Sequence, residues 1–171
     1  FTVDEEEGLT GANGLDPSLL GDAKYMINLD SEDDDIFTVG CAGGLDTEIT
    51  WRGDLEPPPA NASIVSIEVS GLMGGHSGVE INRGRANAIS VMARLLQMLG
   101  EDVPFRLVTL SGGDRRNAIP RSAVSTLLLA QGDVQRLHEC CTALRQSLST
   151  QFAGRDDGIQ VGCVVVADEP L

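Results

Sequence analysis

Positive charge is scarce in this sequence: 12 lysines and arginines stand against 26 aspartates and glutamates, a net charge of −14 over 171 residues. A polyanion would be repelled over most of such a surface, which excludes a nucleic-acid binder of the phosphate-neutralising kind. Long apolar runs are missing as well. No stretch approaches the roughly 20 uninterrupted apolar residues that a bilayer crossing needs, and no basic-then-apolar leader is present, so a soluble protein without a membrane partner is expected. The four cysteines, Cys41, Cys140, Cys141 and Cys163, have neither metal-ligand nor framework spacing. Four unbridged thiols in a reducing, cytoplasmic compartment are the expectation. What is present is a chain with 42% apolar residues, enough to build a core, and a length that suits one domain or one and a half.

The acidity is unevenly placed. Residues 1–60 hold 15 acidic and 2 basic side chains, whereas residues 61–171 hold 11 and 10. Two different kinds of chain are joined here, and the join falls at Pro57-Pro58-Pro59, which fixes φ and removes three backbone donors.

Phe1-Thr2-Val3 is β-prone and starts abruptly, as a strand cut from something longer would. Glycines 8, 11 and 14 and Asp16-Pro17 then punctuate a loop or short-helix stretch. Tyr25-Met26-Ile27-Asn28-Leu29 reads as a buried strand carrying Asp30 at its end, and residues 36–40 and 47–52 as two more strands around Gly43-Gly44. Beyond the prolines, Val65, Ile67 and Val69 alternate with Ser66 and Glu68, the period of a half-buried strand. Ile89, Met92, Ala93, Leu96 and Leu99 recur at helical spacing, with Gly100 at the natural C′ position. Residues 105–110 and 123–130 read as strands. From a predicted N-cap at Asp133, the series Val134, Leu137, Cys141, Leu144, Leu148, Phe152 draws one apolar stripe. Residues 159–166 supply a last strand. The predicted order is β-α-β-β-α-β, an antiparallel sheet covered on one face by two helices.

Asp4-Glu5-Glu6-Glu7 places four carboxylates side by side just before Gly8. They repel one another unless water or a cation compensates them, so this is either a solvated acidic turn or half of a cation site. Asp30 follows an apolar run 24 positions after Glu6, and in open α/β sheets ligands gather outside the carboxyl ends of strands. Two such carboxylates can share a divalent ion while an uncoordinated neighbour takes a proton from activated water. Adjacent residues on a strand face opposite ways, so Glu5 and Glu6 cannot both do the same job; one would bind metal and the other act as base. Gly74-Gly75-His76-Ser77-Gly78 holds a histidine among small residues in a turn, open to partners or merely exposed. His138, on a helix without a ligand-spaced neighbour, reads as a surface residue. The loop Arg115-Arg116-Asn117-Ala118-Ile119-Pro120-Arg121 suits a carboxylate through its guanidinium groups, or else counters the acidic first segment. Glu32-Asp33-Asp34-Asp35 reads as a solvated loop.

The blocks running from Val3 to Ala12, Ile27-Asn28-Leu29-Asp30-Ser31-Glu32, Gly40-Cys41-Ala42-Gly43-Gly44, Gly74-Gly75-His76-Ser77-Gly78, Arg83-Gly84-Arg85-Ala86-Asn87-Ala88 and Gly112 to Arg121 come in one order. Together they resemble the aminoacyl-histidine dipeptidases, also called cytosol non-specific dipeptidases, a family of dinuclear zinc peptidases. The resemblance implies residues 1–60 as part of a metal-binding catalytic domain and residues 61–171 as a ferredoxin-like lid and dimerisation domain, the whole being a central fragment. It further implies hydrolysis of dipeptides, Xaa-His or broader, with Glu5 as general base, Glu6 and Asp30 as ligands of two zinc ions, and His76, Asn117 and Arg121 as substrate-binding residues. His76 would reach the site of a partner subunit in a homodimer. The family's His-x-Asp motif, bridging Asp and late His have no counterpart among these residues, so this polypeptide alone is expected not to hydrolyse peptides. Two other readings stay open: a dimerisation and carboxylate-binding lid module with no activity of its own, and a deacylase of N-acyl amino acids.

Overall fold

The computed structural model describes residues 2–4, 10–27, 29, 34–40, 43, 45, 47–58 and 61–167. Two compact units divide the chain, Phe1–Glu56 and Pro57–Leu171.

In the first unit the described residues form one helical turn, α1 (Thr10–Asn13), and a 3-10 turn at Pro17–Leu20. Asp16 starts the latter by accepting the Ser18 N–H at 2.9 Å, with proline placed where no donor is needed. The three strands expected within residues 25–52 do not form among the described residues. Tyr25, Met26, Ile27, Leu29, Phe37, Val39, Ile49 and Trp51 are all exposed. An apolar run becomes a strand only when a neighbour takes its backbone hydrogen bonds and a layer covers its side chains, and the described part of this unit offers neither. Thr2 and Val3 are likewise not in a strand, and Asn28 and Cys41 lie outside the described residues.

The second unit follows the expected order: β1 (Ala62–Ser70), α2 (Ala88–Asp102), β2 (Phe105–Gly112), β3 (Ala123–Ala130), α3 (Val134–Gln151) and β4 (Gln160–Ala167). The sheet runs β2-β3-β1-β4, with every neighbouring pair antiparallel. Val65, Ile67 and Val69 point under the helices and are fully buried, while Glu68 on the opposite side is exposed. Leu127 and Leu129 of β3 share that inner face with Leu95 and Leu99 of α2 and Leu137, Leu144 and Leu148 of α3. Each such side chain contributes about 1.5–3 kcal/mol of apolar transfer.

Helix α3 keeps the expected stripe, with Cys140 added to it. A 3-10 turn, Gln131–Asp133, leads into it, so Asp133 occupies the cap position without making a side-chain cap bond. Helix α2 differs in three respects. It begins after Asn87, whose Oδ1 accepts the N–H groups of Ile89 (3.0 Å) and Ser90 (3.2 Å). It packs through Ala88, Val91, Met92, Leu95 and Leu99, leaving Ile89 and Ala93 outward. It also continues past Gly100 to Asp102, and the Val103 N–H closes on the Leu99 carbonyl at 2.9 Å.

The topology fixes where loops collect. Because β3 is antiparallel to both β1 and β2, the ends of β1 and β2 lie together with the start of β3. Ser70 of β1 also faces Gln160 at the start of β4. Residues 71–87, 113–122 and 152–159 are therefore gathered at one end of the sheet.

Candidate functional site

The turn at residues 74–80 and the loop at 115–121 are clasped by backbone hydrogen bonds. Ser77 N–H donates to the Asn117 carbonyl at 2.8 Å, Ile119 N–H donates to the Gly75 carbonyl at 2.8 Å, and His76 forms an antiparallel bridge with Ala118. The clasp brings together two expected site residues on different loops, His76 and Asn117. Asn117 uses its backbone carbonyl here and is half-buried, leaving its side-chain amide without a hydrogen-bond partner among the described residues.

His76 is exposed, but its ring is held. The N–H groups of Gly78 (3.0 Å) and Val79 (3.3 Å) both donate to its Nδ1. A nitrogen that accepts cannot carry the ring proton, so the neutral imidazole has its proton on Nε2, at the far edge of the ring. The turn thus presents a fixed N–H donor. Gly78 suits the close approach, since a Cβ there would stand 3.1 Å from both Nδ1 and Cε1 and push the ring back by a few tenths of an ångström.

Glu80 supports the turn from beneath. Its Oε2 accepts the His76 backbone N–H at 3.0 Å, and its Oε1 takes Arg85 Nη2 at 3.0 Å. The His76 N–H, helped by the Arg85 and Arg83 guanidinium groups, holds the Glu80 carboxyl below its usual range. Arg85 in turn donates Nη1 to the Gly74 carbonyl. Gly75, at φ +137°, leaves room for this pair, because a Cβ would lie 2.6 Å from Glu80 Oε2.

Arg121 joins the same cluster by a different bond, donating Nε to the Leu72 carbonyl at 3.3 Å. Beside the clasp is an open cleft of about 520 Å³ whose lining includes Ser77, Arg85, Asn87, Ile89, Arg115 and Arg116. Its guanidinium groups suit a carboxylate or another small anion. The outward position of Ile89 is explained by this cleft.

Sequence reasoning missed Asp156. It is a buried carboxylate, 2% exposed, that accepts the backbone N–H of Met73 and that of Ala86 (2.6 Å). Two charge-assisted bonds offset its desolvation and tie both ends of the histidine loop to the residues after α3. Its setting, Gly154-Arg155-Asp156-Asp157-Gly158, looks like an ordinary polar turn. Glu80 was equally hidden, since its partners come from the fold of the turn itself.

Glu5, Glu6 and Asp30 lie outside the described residues. Asp4, which precedes Glu5 in the sequence, adopts φ 57°, and its carboxylate accepts the Thr10 hydroxyl at 2.7 Å. Among the described residues no three His, Cys, Asp or Glu side chains come together in a way that could hold a metal ion. Also among them, no helix is long and apolar enough to cross a membrane. Cys140, Cys141 and Cys163 are free thiols.

Residues 67–156 match the peptidase dimerisation domain. This chain belongs to that family. The dimerisation-domain chain is 35% identical over 169 residues to the cytosol non-specific dipeptidase of Escherichia coli (strain K12), an alignment covering 99% of this chain and 35% of the relative. It also superposes on the crystal structure of aminoacylhistidine dipeptidase from Vibrio alginolyticus with a TM-score of 0.63 and 32% identity, over 67% of this chain and 24% of the other. The chain spans about a third of the length of the curated relative it matches. Its antiparallel sheet under two helices is the fold of a peptidase dimerisation domain.

Proposed function

We propose that the chain is part of a zinc-dependent dipeptidase, with residues 61–171 as the lid and dimerisation domain and residues 1–60 as a portion of the catalytic domain. The intact protein is read as a cytoplasmic homodimer that hydrolyses small dipeptides, Xaa-His or a broader set. The observation that carries this reading is the clasp between the His76 turn and the Asn117 loop. It holds an Nε2–H donor and places the Asn117 loop next to it, which is what a substrate oxygen in a neighbouring site requires. Likeness to a cytosol non-specific dipeptidase supports it over almost the whole chain.

In this reading Glu5 is the general base, Glu6 and Asp30 bind zinc, and His76, Asn117 and Arg121 hold substrate. Zinc, when bound, supplies Lewis-acid activation of the peptide carbonyl and of the attacking water. Glu6 and Asp30 are fewer than the three protein ligands a catalytic zinc takes, so the chain on its own does not complete the site. Arg121 is limited to its Nη groups, since Nε is spent on the Leu72 carbonyl.

A lid module without activity of its own is the second reading, favoured by the second unit having its own core. Complementation in the intact protein separates the two. His76→Ala and Glu5→Gln should each be inactive alone, and mixing them should restore part of the activity if His76 serves the partner's site. No restored turnover overturns that role. Running the assay on both a dipeptide and an N-acetyl amino acid decides between peptidase and deacylase.

A further inference from the structure

Away from the histidine turn, the rim between α3 and β4 holds three groups that the proposed hydrolysis does not use. Cys163 lies on edge strand β4, on the inner face opposite Ile67, and is half-buried. Its Sγ is 3.3 Å from Nδ1 of His138 on α3. Cys141, one helical turn beyond His138, is buried in the core cluster against which Cys163 packs, close enough for the two thiols to bias each other's protonation. Among the described residues, the groups placed beside Cys163 include His138 and Cys141 from α3 and the apolar Ile67 from β1.

We propose that Cys163 and Cys141 form a peroxide-responsive thiol pair, with Cys163 oxidised first, His138 positioning it, and Cys141 closing a disulfide between α3 and β4. The two sulfurs differ in the way such chemistry needs. The neighbouring Cys141 thiol holds the Cys163 thiol below its usual range, while Cys163 and burial push Cys141 up, and burial also pushes Cys140 up. A thiolate is the reactive form, and only Cys163 of the three is open at the rim. In the first step the Cys163 thiolate attacks one oxygen of hydrogen peroxide. An S–O bond forms, the O–O bond breaks, and hydroxide leaves to become water; sulfur is oxidised by two electrons and peroxide reduced. In the second step the Cys141 sulfur attacks the sulfenic acid. The S–S bond forms, the S–O bond breaks, and the oxygen departs as water with the Cys141 proton. His138 keeps the Cys163 sulfur at the mouth of the site through its ring nitrogen, acting as a positioning residue.

The test is thiol mapping by mass spectrometry on the intact protein, before and after hydrogen peroxide. The expected product is a Cys141–Cys163 linked peptide pair, lighter by two hydrogens, with Cys140 still alkylatable. Before oxidation, Cys163 should react with iodoacetamide roughly tenfold faster than Cys141 at pH 7. Cys141→Ser should stop the reaction at a sulfenic acid on Cys163, trapped by dimedone. His138→Gln should move the pH profile of Cys163 alkylation, a change that a merely structural role would not produce. Linkage to Cys140, linkage only between copies, or equal alkylation rates at all three thiols would overturn the proposal, and the first two readouts come from the unmutated protein.

Discussion

Residues 1–56 and 61–167 are both rich in apolar side chains, yet they use them in opposite ways. Phe37 in the first is 95% exposed, while Leu137 in the second is fully buried. The difference lies in partners rather than in composition. In the second unit the apolar stripes of β1, β3, α2 and α3 meet one another, while Leu107, Val108 and Leu110 of β2 and Val164 and Val166 of β4 stay exposed. In the first, the described residues supply one helical turn and one 3-10 turn, with no sheet to receive the rest. An apolar segment is a demand for a neighbour, and the fold is the set of demands that are met.

The sharpest way to break this contrast is a pair of truncations. Leu137→Ala should destabilise the protein by about 2–5 kcal/mol, because it empties a closed core site. Phe37→Ala should cost less than about 0.5 kcal/mol. Urea unfolding of both variants reads this directly, and a large loss at Phe37 would erase the distinction. Next in size is Asp156→Ala, expected to cost about 1–3 kcal/mol by leaving the Met73 and Ala86 amides unsatisfied. Faster hydrogen exchange at Ala86 would accompany it. Asn87→Ala removes the cap of α2 and should cost about 1 kcal/mol by the same unfolding measurement.

The smallest effect concerns pH. The Glu80 carboxyl is held below its ordinary value of 4.5 in the folded chain, chiefly by the His76 N–H. Its support for the turn is therefore complete above that value and is lost as pH falls through the lower folded one. The protection factor of the His76 amide, its exchange rate corrected for the intrinsic pH dependence, should fall as the solution is acidified below 4.5, and Glu80→Gln should flatten that dependence.

Much of the second unit was legible in the chain itself. Alternation at Val65, Ile67 and Val69 declares a strand with one buried side, and the stripe from Leu137 to Leu148 declares a helix with one buried face. The face of α2 was harder to read, because Ile89 is apolar yet lines the cleft while Ala88 takes the core position. The run from Tyr25 to Leu29 misled because its pattern cannot say whether a neighbour is present. At the site, His76 stood out by its glycine setting, whereas Asn117 was pointed to only by the family resemblance. Glu80, Arg85 and Asp156 did not, since their roles come from backbone amides and carbonyls brought to them by distant loops.

The carboxylate of Asp156 grips the chain just before the histidine turn, at Met73, and just after it, at Ala86. A loop pinned at both feet by one side chain has no independent hinge. Both feet of the His76 loop are thereby anchored to the segment that follows α3, so losing this one carboxylate would release the loop at both ends at once.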